Sequence, residues 1–124
     1  MNYTTHQTLM DQAEEFRLAY NFLTSGPQRM MQKSLIDEEW SEFHEAFYFE
    51  EKPAQLKELA DLVYVCFQFA ASQDWDLDEA MRRVHRSNMS KLGEDGKPIY
   101  REDGKILKGP NYQPPNLKDL TDND

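Results

Sequence analysis

Two stretches of this chain put carboxylates where helical periodicity calls for apolar side chains: EEWSEF at 38–43 and ELAD at 58–61. With Glu39 at zero and about 100° per residue, Leu35, Ile36, Phe43 and Ala46 fall within roughly 60° of it. Glu39 therefore points into the middle of an apolar face rather than toward water. Glu42 lies about 60° to one side, with Glu38 just beyond. The second stretch repeats the arrangement: Glu58 shares a stripe with Leu62, Val65 and Phe69, and Asp61 stands one turn along. Two helices each bring a carboxylate pair spaced i, i+3 toward the same core.

Uncompensated carboxylates in such a place take up protons or prevent packing. The ordinary answer is a Lys or Arg partner, or a wider solvated face. Against it, no basic residue falls between Ser34 and Glu51, and the acids are interleaved with large apolar groups on both helices. Carboxylate oxygens without nitrogen or sulfur donors describe a hard cation, Mg²⁺ or Mn²⁺. A di-iron bundle would need Glu-x-x-His on two helices. His6, His44 and His85 are preceded at i−3 by Tyr3, Ser41 and Arg82, so the motif is absent. Zinc is disfavoured by the same shortage of Cys and His.

The rest of the chain supplies the frame. Apolar residues recur at Leu9, Ala13, Phe16, Tyr20 and Leu23, predicting a first helix capped by Thr4 or Thr5 and closed by Ser25-Gly26-Pro27. The second helix is expected from about Met30 to Phe49, ending before Pro53, and the third from about Ala54. Between Asp61 and Ala71 the third is apolar on nearly every side, so it should be the central and most buried helix. Asp76 and Glu79 stand at capping-box spacing before a fourth helix carrying Leu77, Ala80, Met81 and Val84 on one stripe. The expected fold is all-α, a four-helix bundle over residues 1–92, followed by a separate C-terminal segment, 93–124. In that segment EDGK occurs twice, and the second copy lies between Ile99-Tyr100-Arg101 and Ile106-Leu107-Lys108, which predicts a small β-hairpin. GPNYQPPNL then reads as an extended tail.

Charge and cysteine usage remove several function classes. A net charge of −9, from 23 acidic against 14 basic residues in 124, disfavours nucleic acid and anionic lipid as partners. The one cysteine, Cys66, allows no disulfide framework. Neither a signal peptide nor a membrane span is visible, so a soluble, cytoplasmic protein is expected.

Glu38-Glu39-x-x-Glu42, followed after fifteen residues by Glu58-x-x-Asp61, resembles the EExxE...ExxD signature of the all-α nucleotide pyrophosphohydrolases, the MazG-like group. Residues 88–117, NMSKLGEDGKPIYREDGKILKGPNYQPPNL, are similar to the tail of short single-domain MazG-like proteins of bacteria and phages. The resemblance implies hydrolysis of a nucleoside triphosphate, the deoxy form favoured, to monophosphate and pyrophosphate. Carried over by position, Glu39, Glu42, Glu58 and Asp61 would be ligands to Mg²⁺ or Mn²⁺, and Glu38 would hold a further ion or act with Glu39 in orienting water. Asn88 and Lys91, with Arg86, would contact sugar or phosphates; a surplus of basic residues near a helix C-terminus has a plain electrostatic reading as well. Trp40, Phe43, Phe47 and Tyr64 are candidates for a base pocket, although aromatics at this spacing also build cores. A homo-oligomer, dimer or tetramer, is expected, because so much apolar surface exceeds what one small bundle covers. The reading from another class is a catalytically silent, metal-stabilised helical oligomer that serves as an interaction module.

Overall fold

The computed structural model describes residues 6–22 and 28–122. Four long helices form, α1 (Leu9–Ala19), α2 (Gln28–Phe49), α3 (Lys52–Ser72) and α4 (Leu77–Met89), with a single-turn α5 (Lys118–Thr121) near the end. The chain divides into two compact units, Met1–Leu77 and Asp78–Asp124.

In the first unit α3 packs against both α1 and α2. The start of α1 is fixed by Thr8, whose hydroxyl accepts from the Asp11 N–H at 3.1 Å while the Asp11 carboxylate accepts from the Thr8 N–H at 2.9 Å. This reciprocal capping satisfies two otherwise orphaned donors. It takes the place of the expected cap at Thr4 or Thr5, which lie with Leu23 and Ser25-Gly26-Pro27 outside the described residues. Helix α3 begins at Lys52, two residues earlier than expected, because Pro53 sits in its first turn, where a missing N–H breaks no helical bond. The Gln55 side chain donates to the Glu50 carbonyl at 2.9 Å and helps to end α2.

The other end of α3 is closed by Asp74 in the left-handed region, φ 61°. The Asp74 N–H returns to the Ala71 carbonyl, and the Trp75 N–H to the Ala70 carbonyl at 2.9 Å. This is a Schellman closure with aspartate in the position that glycine usually takes. It turns Trp75 back onto the apolar cluster of Met10, Ala13, Phe67, Ala70 and Ala71. Burial along α3 is therefore uneven. Its last turns are buried at Phe67, Gln68 and Ala70–Ser72, whereas Leu56, Leu59, Val63 and Tyr64 are exposed, so the helix is central to this unit without being buried throughout.

In the second unit both EDGK copies fold as tight turns of one kind. The Asp95 carboxylate accepts from the Lys97 N–H at 3.0 Å, and Asp103 accepts from the Lys105 N–H at 3.1 Å. The expected hairpin does not develop. Among the described residues there is one antiparallel bridge, Tyr100 to Ile106, and no strand. The reason lies in the flanks: Ile99, Tyr100, Ile106 and Leu107 are exposed, and a two-stranded ribbon with nothing under its apolar face is marginal in water.

The tail is tied along α4 instead. The Gly109 N–H donates to the Lys91 carbonyl at 2.8 Å. Arg83 grips Asp119 with both terminal nitrogens, at 2.6 and 3.0 Å, and donates to the Asn116 carbonyl at 3.0 Å. A Cβ on Gly109 would overlap the Leu92 carbonyl oxygen and lie 2.7 Å from that of Lys91, so only glycine fits there. Gly109→Ala should lift this segment. Hydrogen exchange at residues 109–121 is expected to rise at least about tenfold while exchange in α1–α3 stays unchanged; unaltered protection of the tail would count against this packing.

Candidate metal centre

Glu39 comes from α2, and Glu58 and Asp61 come from one turn of α3. Each offers a carboxylate oxygen, and the three oxygens lie within 4.8 Å of one another. The i, i+3 spacing in ELAD puts both α3 acids on the side facing α2. All three side chains are half-buried. Glu39 Oε2 and Glu58 Oε1 are hidden from solvent and make no hydrogen bond. Buried charged oxygens without donors are costly, and an all-oxygen set of this kind suits a hard divalent cation.

A positive group does stand at the edge of this cluster. Lys57 Nζ is 2.7 Å from Asp61 and 3.5 Å from Glu58, the latter an ion pair without a hydrogen bond to the hidden oxygen. Its ammonium is held above its usual range by the hydrogen bond to Asp61 and by the charges of both acids. The sequence expectation looked for basic residues on the second helix alone. The missed signal was local to the third, where Lys57 precedes Asp61 by four residues. Lys57 is itself largely exposed, and it leaves Glu39 uncompensated.

Glu39 is accordingly the most perturbed acid. Its pKa is raised to about 7, first by burial, then by a hydrogen bond shared with the Glu42 carboxyl and by the charges of Glu42, Asp61 and Glu58. Glu42 is exposed and stands outside the three-carboxylate cluster, although it is close enough to hydrogen-bond with the Glu39 carboxyl. Together with Glu45, Glu50, Glu58, Ala46 and Ala54 it lines an acidic cavity of about 400 Å³. Glu45 and Glu50, which the sequence reading did not single out, thus extend the negative field. Glu38 is exposed on α2 and is not part of the cluster.

The proposed base-pocket aromatics do not converge. Trp40, Phe43 and Phe47 line a hollow on α2 together with His44 and Tyr48. There Trp40 stacks on His44 with ring centres 5.1 Å apart. Tyr64 belongs elsewhere: it meets Phe16 edge-on at 5.7 Å and lines a cavity of about 410 Å³ with Leu9, Leu59, Val63 and Phe67. In the second unit Asn88 and Arg86 are exposed and Lys91 is half-buried. Two residues apart on one helix, at about 100° each, Arg86 and Asn88 point to opposite sides of α4.

The raised pKa of Glu39 has a definite sign for stability. The folded chain holds this proton to about pH 7, while the unfolded carboxyl releases it near its ordinary value of 4.5. The contribution is complete below the lower value and is lost as pH rises through the upper one. Asp103 and Asp119 are held below their ordinary value of 3.8 by arginine partners, so their contribution is lost only in stronger acid. In EDTA the melting temperature should therefore fall between pH 6 and pH 8, and Glu39→Gln should flatten that slope. A metal-free melting temperature that rises over this interval would contradict the assignment.

A family model described as phosphoribosyl-ATP pyrophosphohydrolase matches residues 4–88. No curated protein matches the chain. The matched span includes all five motif acids and Asn88 and stops before Lys91 and the tail.

Proposed function

We propose that this chain, which belongs to the phosphoribosyl-ATP pyrophosphohydrolase family and is MazG-like, is a Mg²⁺-dependent pyrophosphohydrolase that splits a nucleoside triphosphate into monophosphate and pyrophosphate. The observation that carries this reading is the meeting of Glu39 with Glu58 and Asp61 across two helices, with two buried oxygens lacking donors, inside the family-matched span. The deoxy substrate is favoured through the resemblance to short MazG-like proteins. The family description names a second triphosphate-bearing candidate, phosphoribosyl-ATP.

Glu39, Glu58 and Asp61 would hold Mg²⁺ or Mn²⁺, with Glu42 joining them by a small side-chain movement. A bound divalent ion would supply the positive charge that lets a triphosphate enter so acidic a place, stabilise the leaving pyrophosphate, and make water acidic enough to attack at neutral pH. The protein's part is positioning. Glu39, freed of its proton, completes the donor set, and Glu38 at the solvent edge orients water or holds a further ion. Lys57 would neutralise part of the α3 charge when no cation is bound. Asn88 and Lys91 would contact sugar or phosphates, while Arg86, on the opposite side of α4 from Asn88, is left for a separate role.

Self-association belongs to the same proposal. Leu56, Leu59, Val63 and Tyr64 on α3, with Leu9 on α1, leave an apolar face open to solvent. A second copy is its expected cover, giving at least a dimer.

Two measurements test the reading. A panel of ribo- and deoxyribonucleoside triphosphates and phosphoribosyl-ATP, with Mg²⁺ and with pyrophosphate resolved from orthophosphate, should give monophosphate and pyrophosphate in equal amounts. Release of orthophosphate through a diphosphate would mean a different reaction, and no turnover of any substrate would favour the silent oligomer. Glu39→Gln and Asp61→Asn should each lower turnover at least about a thousandfold while remaining folded, since each removes a charge needed for the cation without removing volume. Light scattering should return a mass at least twice that of the chain, and Val63→Glu should reduce it; a monomeric wild type would end the oligomer proposal alone.

A further inference from the structure

The second unit contains a hollow that the proposed reaction does not use. It has a volume of about 460 Å³ and lies between α4, which contributes Arg83, Arg86, Ser87 and Ser90, and the tail, which contributes residues 113–116 and Asp119. The proline pair 114–115 fixes the backbone of that wall, and the Gln113 N–H is anchored on the Ser90 hydroxyl at 2.9 Å. The tail is thus held across α4 at both ends of the hollow, by this bond and by the grip of Arg83 on Asp119.

Charge within the hollow is unbalanced. Two guanidiniums and one carboxylate line it, which leaves one positive charge in a chain of net charge −9. Arg83 is spent on Asp119, Glu79 and the Asn116 carbonyl. Arg86 is exposed, and among the described residues its one ion pair is a loose 3.8 Å approach to Glu79. Glu79 already accepts from Arg82 at 2.8 Å and from Arg83 at 2.9 Å. Beside Arg86 lies Ser87, which is 5% exposed, lines the hollow, and forms no side-chain hydrogen bond among the described residues. The Ser87 residue is mostly covered, and its hydroxyl, without a protein partner among the described residues, is free to donate to a molecule in the hollow.

We propose that this hollow binds the phosphate group of a small molecule, at a site separate from the nucleotide contacts proposed for Asn88. Arg86 supplies the charge and a planar fork of donors, and Ser87 supplies a hydroxyl donor. A tetrahedral oxyanion has enough acceptors to engage both at once, which suits phosphate better than carboxylate. The residues turned toward the hollow lie on the side of α4 away from Asn88, so a ligand here leaves Asn88 free. The tail then has a task that the pyrophosphohydrolase motif does not give it: it forms the second wall of an anion site.

Calorimetry in EDTA tests this without reference to turnover, because the acidic centre has no cation there and repels phosphates. The probes are pyrophosphate, orthophosphate and adenosine monophosphate, with acetate as the carboxylate control. The wild-type chain should bind at least one phosphate probe saturably and more tightly than acetate, and the three arms identify which carrier of the group fits best. Arg86→Gln should weaken binding at least about tenfold, and Ser87→Ala about threefold. Arg86→Lys, which keeps the charge and loses the fork, should fall between wild type and Arg86→Gln; it also serves if the glutamine variant fails to fold by circular dichroism. Absence of saturable binding to the wild type, acetate binding as tight as phosphate, or wild-type affinity in a folded Arg86 variant would each overturn the proposal. Loss of pyrophosphohydrolase activity in the panel above would leave this result untouched, so the two readings fail independently.

Discussion

Repulsion among carboxylates at the α2–α3 seam is the constraint around which the first unit is arranged. Glu39, Glu58 and Asp61 bring oxygens within 4.8 Å of one another, and two of those oxygens are hidden without donors. Such a cluster survives in a folded chain only if protons or cations offset it. Two such offsets are visible: the proton retained by Glu39 to about pH 7, and the ammonium of Lys57 beside Asp61. Both are partial, and both would give way to a divalent ion.

Stability in this unit is placed away from the acids. The apolar cluster of Met10, Ala13, Phe67, Ala70 and Ala71 surrounds the last turns of α3, and the Schellman closure at Asp74 pins Trp75 onto it. The first turns of α3, which carry Glu58 and Asp61, have exposed apolar neighbours instead. One helix thus has a buried end that holds the unit together and an open end that presents chemistry. The same open end carries the face proposed for a second copy, which would join assembly to the environment of the acids through one element.

The second unit is held by polar contacts. Arg83 organises it, with Glu79 on its own helix, and Asp119 and the Asn116 carbonyl on the tail. A guanidinium can do this because its donors lie in a rigid plane that serves several acceptors at once. Within α4, Arg83 and Arg86 are one turn apart, yet the first is consumed by structure and the second is left with a loose ion pair beside a hydroxyl that has no partner among the described residues.

How much of this could be read from the sequence follows from the range of the forces involved. Helical periodicity is local, so the long helices, the facing of Glu39 into an apolar stripe and the i, i+3 pairing of Glu58 with Asp61 were all legible in the residues. The motif of acids and its family were legible as well, and the match over residues 4–88 agrees. Other features turn on details of the helix ends and on what packs alongside. Thr8 rather than Thr4 or Thr5 caps α1 because of where Asp11 falls in the helix that forms, and a proline in the first turn of α3 begins that helix instead of delaying it. The Asp-Gly turn was readable, but whether strands grow from it depends on an apolar surface beneath them, which the second unit does not provide. The sequence by itself determined which carboxylates share a helical face, because that follows from a period of 3.6 residues. Only the tertiary structure decided that Glu39, rather than its neighbours, would keep a proton to about pH 7, and that a tail of prolines would close a hollow around Arg86, because burial and charge summation are set by what packs alongside.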